Sequence, residues 1–155
     1  MKFIADAMLG KLAKWLRLLG FDVLYYPEIE DREVIKISRE QGRTILTRDT
    51  RMLQCRGTRD AVFIRSDHIS EQLLEMEDIL ALSESDRAER CVACNENLYE
   101  VSDRAEVQDL VPDYVYHNFG SFTRCNGCGK IYWEGSHYKK IRERINEILK
   151  KSNED

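Results

Sequence analysis

Two rhythms of apolar and polar residues alternate along the first half of the chain. Four short runs, K-F-I-A at 2–5, F-D-V-L-Y-Y at 21–26, T-I-L-T at 44–47 and A-V-F-I-R at 61–65, have the length and the β-branched or aromatic content of strands. Between the first two, Met8, Leu9, Leu12, Trp15, Leu16 and Leu19 recur at spacings of three and four, which predicts an amphipathic helix over 8–19 with Gly20 at its stop. Pro27 breaks the pattern after the second strand, and Asp31 is placed to cap a helix that runs to Gln41 and stops at Gly42. A short helix or turn is expected near 51–55. Ser66 or Asp67 is placed to cap a further helix over about 69–82. Strands that alternate with helices favour a parallel sheet covered on both faces, in which ligands bind beyond the carboxyl ends of the strands.

The rhythm stops at 83–90, S-E-S-D-R-A-E-R, which contains almost nothing apolar and reads as a linker. From Cys91 the composition changes to cysteine, aromatic residues and turn formers. A closing helix over about 138–150 carries Ile141, Ile145, Ile148 and Leu149 on one face. The expected division is therefore an α/β unit at 1–82, a linker at 83–90, and a small cysteine-rich unit with its closing helix at 91–150. The last residues, K-S-N-E-D, should fray.

Composition narrows the class. At 155 residues and 43% hydrophobic the chain can bury one full core with a small appendix, and its longest apolar run is far too short to cross a membrane. No signal-peptide pattern is seen at the start, so a cytoplasmic setting is expected. The net charge of −4 conceals an uneven distribution: +3 over residues 1–60, −9 over 61–124 and +2 over 125–155. A basic face for nucleic acid is compatible with that profile, although the average alone would argue against it.

Of the five cysteines, Cys55 stands alone. The others form two C-x-x-C pairs, Cys91 with Cys94 and Cys125 with Cys128, separated by 30 residues. Four thiolates at this spacing suit a tetrahedral Zn²⁺ that leaves no open position, hence a structural zinc ribbon rather than a redox centre. So small a unit needs the metal in order to fold. Gly127 and Gly129 are expected to give the second knuckle its turn freedom. The aromatic residues around the second pair can cover a thin core or stack on unpaired bases; Trp133 and His137 are the candidates for the second role.

Carboxylates recur where strands end. Asp6 follows the first, Asp49 the third and Asp67 the fourth, and Glu28, Glu30 or Asp31 is available after the second. In a parallel sheet these ends share one edge. Converging acids call for a divalent cation or raised pKa values, and oxygen-only ligands favour Mg²⁺ or Mn²⁺, which suit attack on a phosphodiester. Each aspartate can instead be a helix cap. Lys11, Lys14 and Arg17, spaced by three, and Arg48 beside Asp49 can hold a substrate phosphate, or the first three can form an ordinary solvated helix face.

Three stretches together, F-I-A-D-A-M-L-G-K-L-A-K-W-L-R-L-L-G-F-D-V-L-Y, I-L-T-R-D and R-C-x-x-C-G-K-I-Y-W-x-G-S-H, strongly resemble the Mut-seven C-terminal RNase domain family over about 3–138. The resemblance implies an α/β fold: a PIN-like parallel sheet flanked by helices, then a zinc ribbon and a C-terminal helix. It implies hydrolysis of single-stranded RNA, endonucleolytic and dependent on Mg²⁺ or Mn²⁺. Asp6 and Asp49 match the family's acids, Asp31 is the best match for the acid before the second helix with Glu30 one residue away, and Asp67 would be the last. The pairing of fold and ribbon is also similar to that of an endonuclease that matures small-subunit ribosomal RNA, which by analogy suggests ribosomal RNA or a ribosomal particle as partner. The alternative is a non-catalytic adaptor that binds RNA or a ribosome. In an enzyme the acids should converge; in an adaptor they point apart or are neutralised by cations.

Overall fold

The computed structural model describes residues 1–82, 89–135, 137–152 and 154. Four strands, β1 (Lys2–Ala5), β2 (Asp22–Tyr25), β3 (Thr44–Thr47) and β4 (Ala61–Phe63), form an all-parallel sheet in the order β2-β1-β3-β4. Ile4 lies opposite both Leu24 and Ile45, and Ala5 opposite Tyr25 and Leu46, so the carboxyl ends of β1 and β3 stand side by side. Both faces are buried, as expected of a parallel sheet. Phe3, Ala5, Val23 and Leu46 enter one core with Leu12, Leu16 and Leu73. Ile4 and Ile45 enter the other with Val34, Ile35 and Met52.

Helix α1 (Gly10–Leu18) is preceded by a 3₁₀ turn at Ala7–Leu9, so the 8–19 periodicity resolves into two pieces. Helix α2 (Asp31–Gln41) begins at Asp31 itself; Glu30 takes the capping position without a side-chain bond. A five-residue helix, α3 (Thr50–Gln54), follows β3. The helix expected over 69–82 divides at the buried Met76 into α4 (Ile69–Glu75) and α5 (Glu77–Leu82). Neither Ser66 nor Asp67 caps it: His68 takes the capping position without a side-chain bond, and the Ser66 hydroxyl accepts from the His68 amide at 3.0 Å just before the helix. Most of the expected linker, 83–88, lies outside the described residues.

A second, antiparallel sheet joins β5 (Leu98–Glu100), β6 (Phe122–Cys125) and β7 (Ile131–Trp133) in sequence order. The segment between β5 and β6 holds a 3₁₀ turn at Arg104–Val107 and helix α6 (Asp113–Asn118), and makes a small core of its own from Val107, Val111, Val115, Phe122 and Ile131. Helix α7 (His137–Ser152) returns to the parallel sheet and packs on α1 and α4. Ile145 on α7 is fully buried in the same core as Phe3, Cys91, Cys125 and Tyr132. That shared core couples the two sheets, and each fully buried aliphatic side chain in it contributes about 1.5–3 kcal/mol.

Candidate metal centre and carboxylate edge

The two C-x-x-C turns are built alike. In the first, the Cys91 amide donates to the Glu96 carbonyl (2.8 Å) and the Asn95 amide to the Cys91 carbonyl (2.9 Å). In the second, the Cys125 amide donates to Lys130 (3.0 Å) and the Gly129 amide to Cys125 (3.2 Å). Each turn closes on a residue with left-handed backbone, Asn95 at φ 73° and Gly129 at φ 75°. Gly127 serves differently from expectation. A Cβ there would come within 2.8 Å of Glu96 and 3.3 Å of Cys94 Sγ, so its missing side chain lets the knuckles approach each other. All four Sγ atoms lie within 4.8 Å of one another, with Cys91–Cys128 at 3.6 Å and Cys94–Cys125 at 3.3 Å. Zn–S bonds of about 2.3 Å in a tetrahedron place sulfurs about 3.8 Å apart, so the donor set fits a structural zinc site.

The electrostatics agree with a metal. Burial pushes the Cys94 thiol up to about 12, helped by hydrogen bonds from its three neighbours. Burial also opposes ionisation of Cys125, but the amides of Cys128 and Gly127 and the Cys94 thiol outweigh it and bring the group down to about 7. Crowded thiols share protons until a cation replaces them. The Tyr132 hydroxyl, 3.0 Å from Cys91 Sγ, is kept protonated by burial and by that sulfur, and is placed to donate to a thiolate.

Three residues dock this centre on the parallel sheet. Arg17 is 5% exposed; its Nε donates to the Val23 carbonyl and its Nη1 to the Val92 carbonyl, both at 2.9 Å. Burial lowers its pKa, opposed by the negative charge of Cys94 and Cys91. The expectation that Arg17 faces solvent and RNA is thus corrected: its guanidinium ties α1, β2 and the first knuckle together. Asn95 accepts from the Val23 amide (2.9 Å) on edge strand β2 and donates to Asp22 (2.8 Å). Asp22 also pairs with Arg43 at 2.7 Å. Burial opposes its charge, yet bonds from Arg43 and Asn95 and the charges of Arg43 and Arg90 hold its carboxyl below the usual range. Asp22 carries no role in the sequence reading beyond the 21–26 strand run, and Asn95 and Arg43 carry none; the left-handed position after each C-x-x-C was the available signal for Asn95.

At the carboxyl edge, Asp6 is 5% exposed and takes three donors. Its Oδ1 accepts from the Met8 amide (2.9 Å), and its Oδ2 from the Thr47 hydroxyl (2.6 Å) and the Arg48 amide (2.9 Å). Thr47 Oγ1 in turn accepts from the Asp49 amide at 3.0 Å, so one buried hydroxyl links the ends of β1 and β3. Asp49 caps α3. Its Oδ1 accepts from the Arg51 amide (2.9 Å) and Nε (3.2 Å), and its Oδ2 from Arg51 Nη2 (3.0 Å). The Arg51 side chain, followed by its amide, holds this carboxyl below the ordinary range. Both aspartates therefore act as caps. The role of Thr47 was missed from sequence, although the T-R-D-T-R string contains it; Arg51, in the same string, is a flanking cation whose bond to Asp49 only the structure shows.

The remaining acids stand apart. Asp31 is exposed at the start of α2, and its charge is felt by Arg51. Asp67 is 72% exposed, 3.5 Å from His68, and shares a cleft of about 230 Å³ with Met8 and Lys11. Among the described residues the four thiols form a group of potential metal ligands within 4.8 Å of one another, whereas Asp6, Asp31, Asp49 and Asp67 do not. Lys11 and Lys14 are exposed, with Lys11 Nζ 5.6 Å from the Trp15 ring. Arg48 bonds the Arg65 carbonyl through Nη2 (3.4 Å), while its buried Nε has no acceptor. Trp133 is half-buried against the small core of the ribbon, which is its packing role; His137 is exposed at the first position of α7.

The family model described as Mut7-C RNAse domain matches residues 1–145, and the chain belongs to that family. No curated protein and no solved structure matches it. Membership assigns a ribonuclease-type role with RNA as the substrate class. No helix among the described residues is long and apolar enough to cross a membrane.

Proposed function

We propose that this member of the Mut7-C RNAse domain family is a metal-dependent ribonuclease that cleaves single-stranded RNA internally, with ribosomal RNA as the first class to assay. The observation that carries this reading is the Asp6–Thr47–Asp49 link at adjacent strand ends: one buried hydroxyl donates to the Asp6 carboxylate and accepts from the backbone amide of Asp49. The oxygen-only donors of the two aspartates suit Mg²⁺ or Mn²⁺, which take one or two carboxylates and keep several waters. Such a cation supplies the nucleophile and the charge neutralisation that phosphodiester hydrolysis requires.

The chain's own residues do the rest. Three donors hold the Asp6 carboxylate in place. Asp49 would exchange its bond to the 86% exposed Arg51 for a ligand, and water would receive the freed guanidinium. Lys11 and Lys14 on α1 and Arg48, with its unmet Nε donor, would hold substrate phosphates. Asp31 and Asp67 would serve as further acids. The structural zinc ribbon braces the fold and, through the exposed His137, adds RNA contact.

Two observations favour a second reading, a non-catalytic RNA- or ribosome-binding adaptor. The four aspartates do not form a ligand group, and Asp49 is neutralised by Arg51. The deciding assay follows end-labelled single-stranded RNA with zinc-loaded protein, with and without added Mn²⁺ or Mg²⁺ and without a strong chelator, beside Asp6→Asn and Asp49→Asn. The enzyme reading expects cleavage that needs the added metal and disappears in both folded variants. Equal, metal-independent traces in all three proteins would leave the adaptor.

A further inference from the structure

On the face of the sheet opposite α1, a cleft of about 890 Å³ runs between α2 and the loop that connects α3 to β4. Five cations line it: Arg32, Lys36 and Arg39 from the helix, Arg56 and Arg59 from the loop. Two carboxylates, Asp31 and Glu40, share the lining. Arg32 pairs with Glu30 at 2.9 Å and Lys36 meets Glu33 at 3.8 Å, both in exposed positions where such pairs are weak. Among the described residues no acid forms an ion pair with Arg39, Arg56 or Arg59, and all three are exposed.

The backbone brings these like charges together. Gly57, at φ +99°, turns the loop back under α2; a Cβ there would stand 3.3 Å from an Arg39 guanidinium nitrogen and 3.4 Å from Ile35. Positions 32, 36 and 40 and positions 31, 35 and 39 follow the i, i+4, i+8 rows of one helix face, so the charged wall extends about 12 Å at 1.5 Å per residue. One end of the cleft is Asp31, whose charge reaches Arg51, the residue that holds Asp49. The cleft therefore opens toward the carboxylate edge. Its walls carry no aromatic side chain, which suits contact with a sugar–phosphate backbone rather than stacking on bases.

We infer that this cleft holds the phosphodiester backbone of single-stranded RNA beside the cleavage site, without reading its sequence. The inference rests on the ribonuclease reading only for the identity of the ligand. It adds a track on the α2 face to the Lys11–Lys14 strip on the α1 face.

The test measures binding of a fluorescein-labelled single-stranded oligonucleotide to the full zinc-loaded chain over a salt series, with no Mg²⁺ or Mn²⁺ added. Arg39→Ala/Arg56→Ala/Arg59→Ala should weaken binding about tenfold or more and lower the salt slope by about 2, since single strands give about 0.7 per phosphate contact. Lys140→Ala/Arg144→Ala/Lys150→Ala on α7 serves as the charge-matched control and should bind as the parent does. A triple cleft variant with unchanged affinity and slope overturns the cleft while the parent's cleavage leaves the ribonuclease reading standing. A parent protein that neither binds nor cleaves RNA overturns both, and an acidic protein then becomes the occupant to seek. A second readout needs no substitution. Cys55 lines the cleft and is partly exposed, so saturating RNA should slow its alkylation by iodoacetamide several-fold; an unchanged rate with RNA bound overturns the proposal.

Discussion

The thiol centre and the carboxylate edge use the same kind of device, short turns that aim charged side chains, and they end in opposite states. Each C-x-x-C turn fixes two sulfurs through its own backbone bonds, and the sheet β5-β6-β7 brings the two turns together. Among the described residues no donor set replaces the metal, apart from one tyrosine hydroxyl and the knuckle amides. At the carboxylate edge Asp6 and Asp49 each find donors nearby. Asp6 takes a cap, a threonine and an amide; Asp49 takes an arginine two residues on. Thiols are poor hydrogen-bond partners, so a cluster of four has a strong need for a soft cation. Carboxylates are good partners, so their need for a metal is partly met by the protein.

Removal of zinc should have the largest effect on that contrast. Structural zinc in small domains is bound with about 10–16 kcal/mol, and that energy is folding energy. Cys125→Ser or exhaustive chelation should abolish the antiparallel sheet by hydrogen exchange and loosen α1 and β2 with it, because Arg17 and Asn95 span the junction. A metal-free protein that kept its amide protection at 122–133 would break the comparison.

Next in size is Arg17→Ala. It leaves the Val23 and Val92 carbonyls without their donor and should cost about 3 kcal/mol in urea unfolding. Arg17→Lys should rescue little, since one ammonium cannot reach both carbonyls in a fixed fork. Recovery with lysine would mean that charge rather than geometry joins the two parts.

Asn95 gives a smaller and more diagnostic effect. Asn95→Gly keeps the left-handed turn but removes the bonds to Val23 and Asp22, for about 2 kcal/mol. Asn95→Ala should cost about 1 kcal/mol more, because alanine also resists the left-handed backbone. Equal losses in thermal unfolding would show that the turn matters little and the docking is everything.

Arg51→Ala is the mildest substitution and bears on the carboxylate side. Under the ribonuclease reading it removes both guanidinium bonds from Asp49 and leaves only the residue-51 amide on Oδ1, so the Mn²⁺ concentration for half-maximal cleavage should fall several-fold. Under the adaptor reading cleavage stays absent. The same change has a pH signature. The Asp49 carboxyl sits below its ordinary value, so its contribution is present above the ordinary carboxylate range and is lost as pH falls through the lower folded value. Without Arg51 that folded value rises toward ordinary, so a pH titration of Asp49 by NMR should shift upward.

The strands and most helix boundaries were legible because hydrophobic period and punctuation are local. β1 and β3 match the expected runs residue for residue, and β2 and β4 lose only their ends. The zinc ligands were legible because C-x-x-C spacing is itself the geometry of the turn. The polar network was not. Thr47 reads as one more strand residue until register sets it against Asp6. Arg17 satisfies the spacing of an exposed strip, yet α1 is covered by the first knuckle at that position.

Short-range pattern carries the alternation of strands and helices, the family, the two cysteine knuckles and the aspartates that follow β1 and β3, since each depends on neighbours within a few residues. Tertiary structure alone decided which charges face solvent and which join the two sheets. It also decided that Asp6 and Asp49 are linked through Thr47, and that five scattered cations meet in one cleft. Those outcomes depend on parallel register, on the return of α7 to the first core, and on a glycine that folds one loop beneath a helix. Each joins residues distant in the chain, where no local spacing can announce the contact.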